Sequence, residues 1–176
     1  MSIILLDGCD KTGKSTIARM MATELNAEIV HCEKPKKPPF REYFDLVDGL
    51  ARDRNYILDR AWLSEVVYSQ LWRERRQLIA DDVRFIEQFA RSKHSAVAIH
   101  AKASSDSVIS RMRSDGELLL QPEQVQKCLS LFEDAFKETT LTMFNYVSDV
   151  MPAEKFMTGV YPVVAHTLRY QKLRGE

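Results

Sequence analysis

The segment Gly8-Cys9-Asp10-Lys11-Thr12-Gly13-Lys14-Ser15 constrains this chain more tightly than any other. It fits the pattern G-x-x-x-x-G-K-[ST], and its flanks fit as well. The apolar run Ile3-Ile4-Leu5-Leu6 ahead of it reads as a buried parallel strand. Behind it, Ile17, Met20, Met21 and Leu25 recur at helical spacing, so a helix is expected to start near Lys14. A strand, a glycine-bearing turn and a helix N-terminus together make an anion cradle. Backbone N–H groups converge there, and the helix dipole adds partial positive charge. In such a cradle Lys14 is expected to reach the outer phosphates of a nucleotide and the Ser15 hydroxyl to hold Mg²⁺, with Gly8 through Thr16 lining the phosphate site.

The rest of the chain supports an α/β fold with a parallel sheet. Apolar and amphipathic stretches alternate. Ala27 to Cys32 reads as a strand and Glu33 to Pro39 as a lysine- and proline-rich loop. Phe40, Tyr43, Phe44, Val47 and Leu50 give a helical stripe. Tyr56-Ile57-Leu58 is a short strand ending at Asp59-Arg60. Leu63, Val66, Val67 and Leu71 mark one helix, and Val83, Ile86, Phe89 and Ala90 another. Ala96 to Ile99 is a strand, Val108, Ile109 and Met112 lie on a short helix, and Ser114 to Pro122 is a loop. Val125, Cys128, Leu129, Phe132 and Phe136 form the clearest amphipathic helix. A last strand is expected near Phe156 to Val160, followed by a terminal helix from Pro162. With no repeat, linker or low-complexity segment, residues 1–176 are expected to form one domain.

Charge and cysteine content narrow the function. Lys plus Arg equals Asp plus Glu at 25 each, so no bulk field draws the chain to nucleic acid. No apolar run approaches a membrane span. Cys9, Cys32 and Cys128 match neither a disulfide framework nor a zinc pattern, and a reducing, cytoplasmic setting is expected. The four histidines show no metal spacing.

Further residues refine the cradle. Asp59 is delivered to the C-terminal end of its strand, the edge that lines the ligand crevice of an open parallel sheet. An acid there can hold a Mg²⁺-bound water, and Arg60 beside it is a two-pronged oxyanion ligand. The Arg73-Glu74-Arg75-Arg76 run is expected to meet a helix C-terminus.

Gly8 to Thr16 closely resembles the G-x-D-x-x-G-K-S-T loop of thymidylate kinases. Asp59-Arg60 with Ser64 and Tyr68 resembles that family's D-R-x-x-x-S-x-x-x-Y stretch. Glu33-Lys34-Pro35 resembles its acid–proline loop, and Arg111 and Arg113 resemble its lid, expected over 111–122. The short chain looks like a phage-type member. The resemblance implies a P-loop fold of the nucleoside monophosphate kinase type, a three-layer parallel sheet, and phosphoryl transfer from ATP with Mg²⁺ to a deoxynucleoside monophosphate. It also implies roles. Lys14 and the loop amides bind donor phosphates, and Ser15 and Asp59 serve the metal. Asp10 faces the acceptor sugar, and Lys11 neutralises charge on the transferred group. Arg60 and Lys34 hold the acceptor phosphate, Tyr68, Ser64 and Tyr43 line the acceptor site, and Arg111 and Arg113 close over ATP. A homodimer packed through helices is implied too.

The chain departs from that pattern. Ser69 stands where the family carries a thymine-reading glutamine, and Gln70 follows one residue later, about 100° round the helix. Residue 61 is alanine instead of an aromatic. An alternative is therefore a kinase acting on a hydroxyl, of a nucleoside or of a hydroxymethylated pyrimidine in DNA, with Asp10 or Asp59 as general base. Lys34, Lys36, Lys37, Arg41 and Arg73 to Arg76 would then track the phosphate backbone. A nucleotide-switched binding module is a third reading, but the chain has no N-K-x-D and no ABC-type signature.

Overall fold

The computed structural model describes residues 1–116 and 120–174. Five strands, β1 (Ser2–Asp7), β2 (Ala27–His31), β3 (Asn55–Asp59), β4 (Ser95–Lys102) and β5 (Thr142–Val147), form one sheet in the order β2-β3-β1-β4-β5. Every pairing is parallel; Leu6 sits opposite Asp59 on one side and Ile99 on the other. β1 is central and covered on both faces, which is why it reads as an unbroken apolar run. Its side chains alternate between two cores. Ile3 and Leu5 join one with Val47, Trp62, Phe132 and Phe136, and Ile4 and Leu6 join the other with Ile17, Met21, Phe156 and Val164.

Eight helices cover the sheet among the described residues. Helices α2 (Pro39–Gly49), α3 (Trp62–Arg73), α4 (Ala80–Lys93) and α6 (Pro122–Glu138) contribute to the first core, and α1 (Lys14–Leu25), α7 (Ala153–Gly159) and α8 (Tyr161–Arg174) to the second. Helix α5 (Ser105–Asp115) packs on α6. The result is a three-layer α/β sandwich with a five-stranded parallel sheet. No described helix is long and apolar enough to cross a membrane.

The last strand is not where the sequence predicts it. Phe156 to Val160 belongs to α7 and the bend after it, with Ala153 and Phe156 buried three residues apart on one helical face. The strand is Thr142–Val147, at the sheet edge, where exposed Thr142, Met143 and Asn145 break the apolar pattern. The loop expected from Ser114 starts two residues later, because α5 runs to Asp115 and ends on Gly116 in the left-handed conformation (φ 67°). Part of the expected lid, residues 117–119, lies outside the described residues. The Arg73–Arg76 run does meet a helix C-terminus, that of α3, whose last turn holds Arg73 and whose C-cap is Glu74. Only Arg73 lies in α3, where it pairs with Glu65, while Arg76 pairs with Glu138 of α6.

Candidate active site at the C-terminal sheet edge

Because all strands run parallel, their C-terminal ends share one edge. The loop Gly8–Gly13 rises from β1 on that edge and enters α1. Two of its glycines are there for backbone reasons. Gly8 has φ 150°, and a Cβ on it would lie 2.2 Å from the Ala101 carbonyl oxygen of β4. Gly13 has φ 87° and lies under Tyr146, whose Cε1 would be 3.1 Å from an added Cβ. The loop is braced internally as well. Thr12 Oγ1 donates to the Cys9 carbonyl at 2.7 Å, and the buried Lys14 ammonium donates to the Gly8 and Cys9 carbonyls at 2.8 and 2.7 Å. Burial lowers the Lys14 pKa, and the Arg60 charge adds to that while Asp10 opposes it. The Cys9 side chain points into the core, so that position offers the loop only its backbone.

A cavity of about 530 Å³ lies over this loop, lined by Asp10, Lys11, Lys14, Ser15, Thr16 and Arg60 from the loop side. Arg111, Ser114, Asp115, Tyr146 and Ser148 close it from α5 and β5. Arg111 donates to the Lys11 carbonyl and to Ser148 Oγ, both at 2.8 Å, and Lys11 Nζ pairs with Asp115 at 2.8 Å. These contacts tie the loop to the end of α5. Arg113, by contrast, is exposed and takes no part in the lining.

A second cavity of about 440 Å³ adjoins the first. Arg60, Lys34, Tyr43, Ser64 and Tyr68, all singled out from the sequence, line it. His31, Cys32, Glu33, Pro35, Glu65, Trp72 and Arg73 complete its wall. Tyr68 stacks on Trp72 with ring centroids 4.6 Å apart, which makes a flat aromatic face. Phe40 and Phe44 are not in the wall; they pack on Phe85 and Phe89. Arg60 is the cation shared by the two cavities. Its Nη2 lies 2.5 Å from the buried Asp10 carboxylate, and its backbone holds a left-handed φ of 62°.

Under the two cavities lie carboxyls at the strand ends. Asp59 is buried at the end of β3; its Oδ2 contacts His31 Nδ1 at 3.1 Å and its Oδ1 has no hydrogen-bond partner. Asp7, at the end of β1, is fully buried. It accepts a hydrogen bond from Ser64 Oγ on one oxygen and has no partner on the other. Burial raises its pKa to about 7, against the opposing pull of Ser64 and Lys14. Asp7 Oδ2 and Asp59 Oδ1 are buried carboxylate oxygens without protein donors, and Ser15 is exposed in the wall of the larger cavity; oxygen donors of this kind suit a hard cation such as Mg²⁺. Asp7, Glu65, Trp72 and Ser148 were not anticipated from the sequence. Asp7 carried one signal, a carboxyl closing an apolar strand directly before the first loop glycine.

No protein-family model matches the chain. In sequence the chain is similar to the SPbeta prophage-derived uncharacterized protein YorR of Bacillus subtilis (strain 168), 26% identical over 148 residues that span 83% of this chain and 88% of that one. The crystal structure of YorR in complex with phosphorylated GDP superposes with a TM-score of 0.77 at 20% identity, covering 93% of this chain and 95% of that one. Deoxyadenosine kinase from M. mycoides with bound dCTP gives a TM-score of 0.60 at 18% identity, covering 94% and 100%. Thymidylate kinase from Candida albicans gives 0.59 at 13%, covering 93% and 91%. At these identities the likeness is one of fold. The chain has the P-loop fold of nucleotide kinases, and the likeness does not single out thymidylate kinases among them.

Proposed function

We propose that the protein transfers a phosphoryl group from ATP to a deoxynucleoside monophosphate. The observation that carries this reading is the pair of adjoining cavities that share Arg60: one over a phosphate-binding loop, the other walled by aromatic rings and a cation. Donor phosphates would lie on the Gly8–Ser15 backbone and Lys14. The acceptor base would lie against the Tyr68–Trp72 face, with its phosphate between Lys34 and Arg60. Asp10 orients the Arg60 guanidinium, whose planar fork suits a phosphate bridging the two cavities. Lys11, Lys14 and Arg111 would meet charge on the transferred group. Mg²⁺, held by Ser15 and through water by Asp59, would supply further neutralisation of the donor phosphates. The bound nucleotides of the similar YorR and deoxyadenosine kinase structures support a nucleotide ligand here.

One observation favours the second reading, transfer to a hydroxyl. A phosphate acceptor is already ionised and needs no base, whereas a hydroxyl does. Asp10, whose carboxylate is in the wall of the larger cavity, and Asp59 at the end of β3 are the carboxylates available for that proton. The DNA version of this reading is less well supported. Lys36, Lys37 and Arg41 are paired with Glu33 or Asp45, and Arg73 and Arg76 with Glu65 and Glu138, so these cations do not form an unopposed basic track. A coupled assay of ATP consumption across all deoxynucleoside monophosphates, nucleosides, and plain and hydroxymethylated DNA decides. Turnover with a monophosphate supports the proposal; transfer only to a nucleoside or to DNA replaces it with the hydroxyl reading.

A further inference from the structure

The smaller cavity carries a polar device that phosphate binding does not use. Glu65 and Arg73 stand two turns apart on α3 and both line the wall. Glu65 is about 95% buried at 5% relative exposure, and among the described residues Arg73 Nη1, at 2.7 Å, is the one donor to its carboxylate. A carboxylate offers about four acceptor sites, so most of its capacity is unfilled. Arg73 likewise spends one arm on Glu65 and keeps others. Side by side, the pair presents a string of acceptors followed by donors, next to the Tyr68–Trp72 aromatic face.

We infer that Glu65 and Arg73 read the acceptor base and select guanine, an inference that rests on the smaller cavity being the acceptor site. Guanine carries donors at its 2-amino group and N1, followed by acceptors at O6 and N7. Glu65 takes the two donors and Arg73 the two acceptors. Adenine and thymine alternate donor and acceptor along that edge and leave the carboxylate with one partner. Cytosine matches the string in reverse with one contact fewer, and a cavity of about 440 Å³ holds a purine. The residues available for reading thymine are engaged elsewhere. Gln70 Nε2 donates to the Val66 carbonyl at 2.8 Å, and Ser69 is buried with its hydroxyl on the same carbonyl.

The test compares dGMP, dIMP, dAMP, dCMP and dTMP as acceptors for the wild type and Glu65→Gln. Inosine keeps N1–H and loses only the 2-amino group. The expected kcat/KM falls about 10-fold from dGMP to dIMP and about 100-fold or more to dAMP. Glu65→Gln should erase most of the dGMP-over-dIMP preference, chiefly through KM. A different best base, or a dGMP-to-dIMP ratio near one in the wild type, overturns the inference and leaves the kinase reading intact; the wild-type ratio decides even if the variant does not fold. If no monophosphate turns over, titration calorimetry with dGMP and dIMP takes its place. A guanine preference then upholds the inference while the monophosphate reading fails, and equal binding overturns it.

Discussion

The Arg60 guanidinium lies 2.5 Å from the buried Asp10 carboxylate, so a residue of the Gly8–Gly13 loop fixes the one cation, among the described residues, that faces both cavities. The pairing joins the end of β3 to the loop after β1, two neighbouring strands of the sheet. It turns two chain segments 50 residues apart into a single binding element.

Arg60→Lys keeps the charge and loses the planar fork, so it should not rescue the site. Steady-state kinetics should show kcat/KM for the acceptor lowered about 100-fold, with the rise in acceptor KM larger than any change in ATP KM. Wild-type acceptor kinetics in this variant would remove Arg60 from the site.

Lys14→Ala should lower transfer by about 10²–10³-fold or more while the fold persists. Activity and thermal melting measured on the same sample separate the two effects. An active variant would sink the assignment of the loop.

Gly8→Ala forces a Cβ onto the Ala101 carbonyl oxygen at a backbone angle that side-chain-bearing residues rarely adopt. A loss of about 2 kcal/mol or more is expected, read from denaturant unfolding. Gly116→Ala is the contrast. Its φ of 67° is also left-handed, but none of the described residues lies within 4 Å of the added Cβ, so only the backbone cost of about 1 kcal/mol applies.

Asp7 and His100 should oppose each other in the pH dependence of stability. Asp7 has a raised pKa in the folded state, about 7, so it retains a proton that the unfolded chain releases above its ordinary value of 3.8. Its contribution therefore falls as pH rises through that window. His100, buried against Phe136, has a folded pKa lowered to about 3 by burial, so its contribution falls as pH drops below 6.5. Between about pH 4 and 6.5 the two slopes cancel. Asp7→Asn removes one of them. The variant should be more stable than the wild type at pH 8, by a few kcal/mol at most, and should lose stability steeply on acidification through that window, as followed by thermal melting from pH 4 to 8.

How much of this was legible in the sequence varies along the chain. The phosphate loop was plain because its glycines, its lysine, a fully buried strand and a helix start coincide within about 15 residues. The aromatic and basic wall of the smaller cavity was partly legible through Arg60, Ser64 and Tyr68. Glu65 and Trp72 were not, since α3 is buried almost all round from Trp62 to Ser69 and shows no face by periodicity. The residues that close the larger cavity, Tyr146 and Ser148, were missed because β5 is an edge strand with a mixed pattern, and the apolar Phe156–Val160 run drew the strand assignment instead.

Lys11 and Arg60 share a property besides charge. Each holds φ at 62°, a conformation that glycine adopts freely and that costs other residues about 1–2 kcal/mol. Glycine at either position would relieve that backbone cost, but Arg60→Gly would leave the buried Asp10 carboxylate without its cation and Lys11→Gly would lose the pair with Asp115. Both cations line the cavity over the phosphate loop. Left-handed backbone thus serves two different ends in this chain: at Asn26 and Glu74 it closes helices α1 and α3, and at Lys11 and Arg60 it aims positive charge into one cavity.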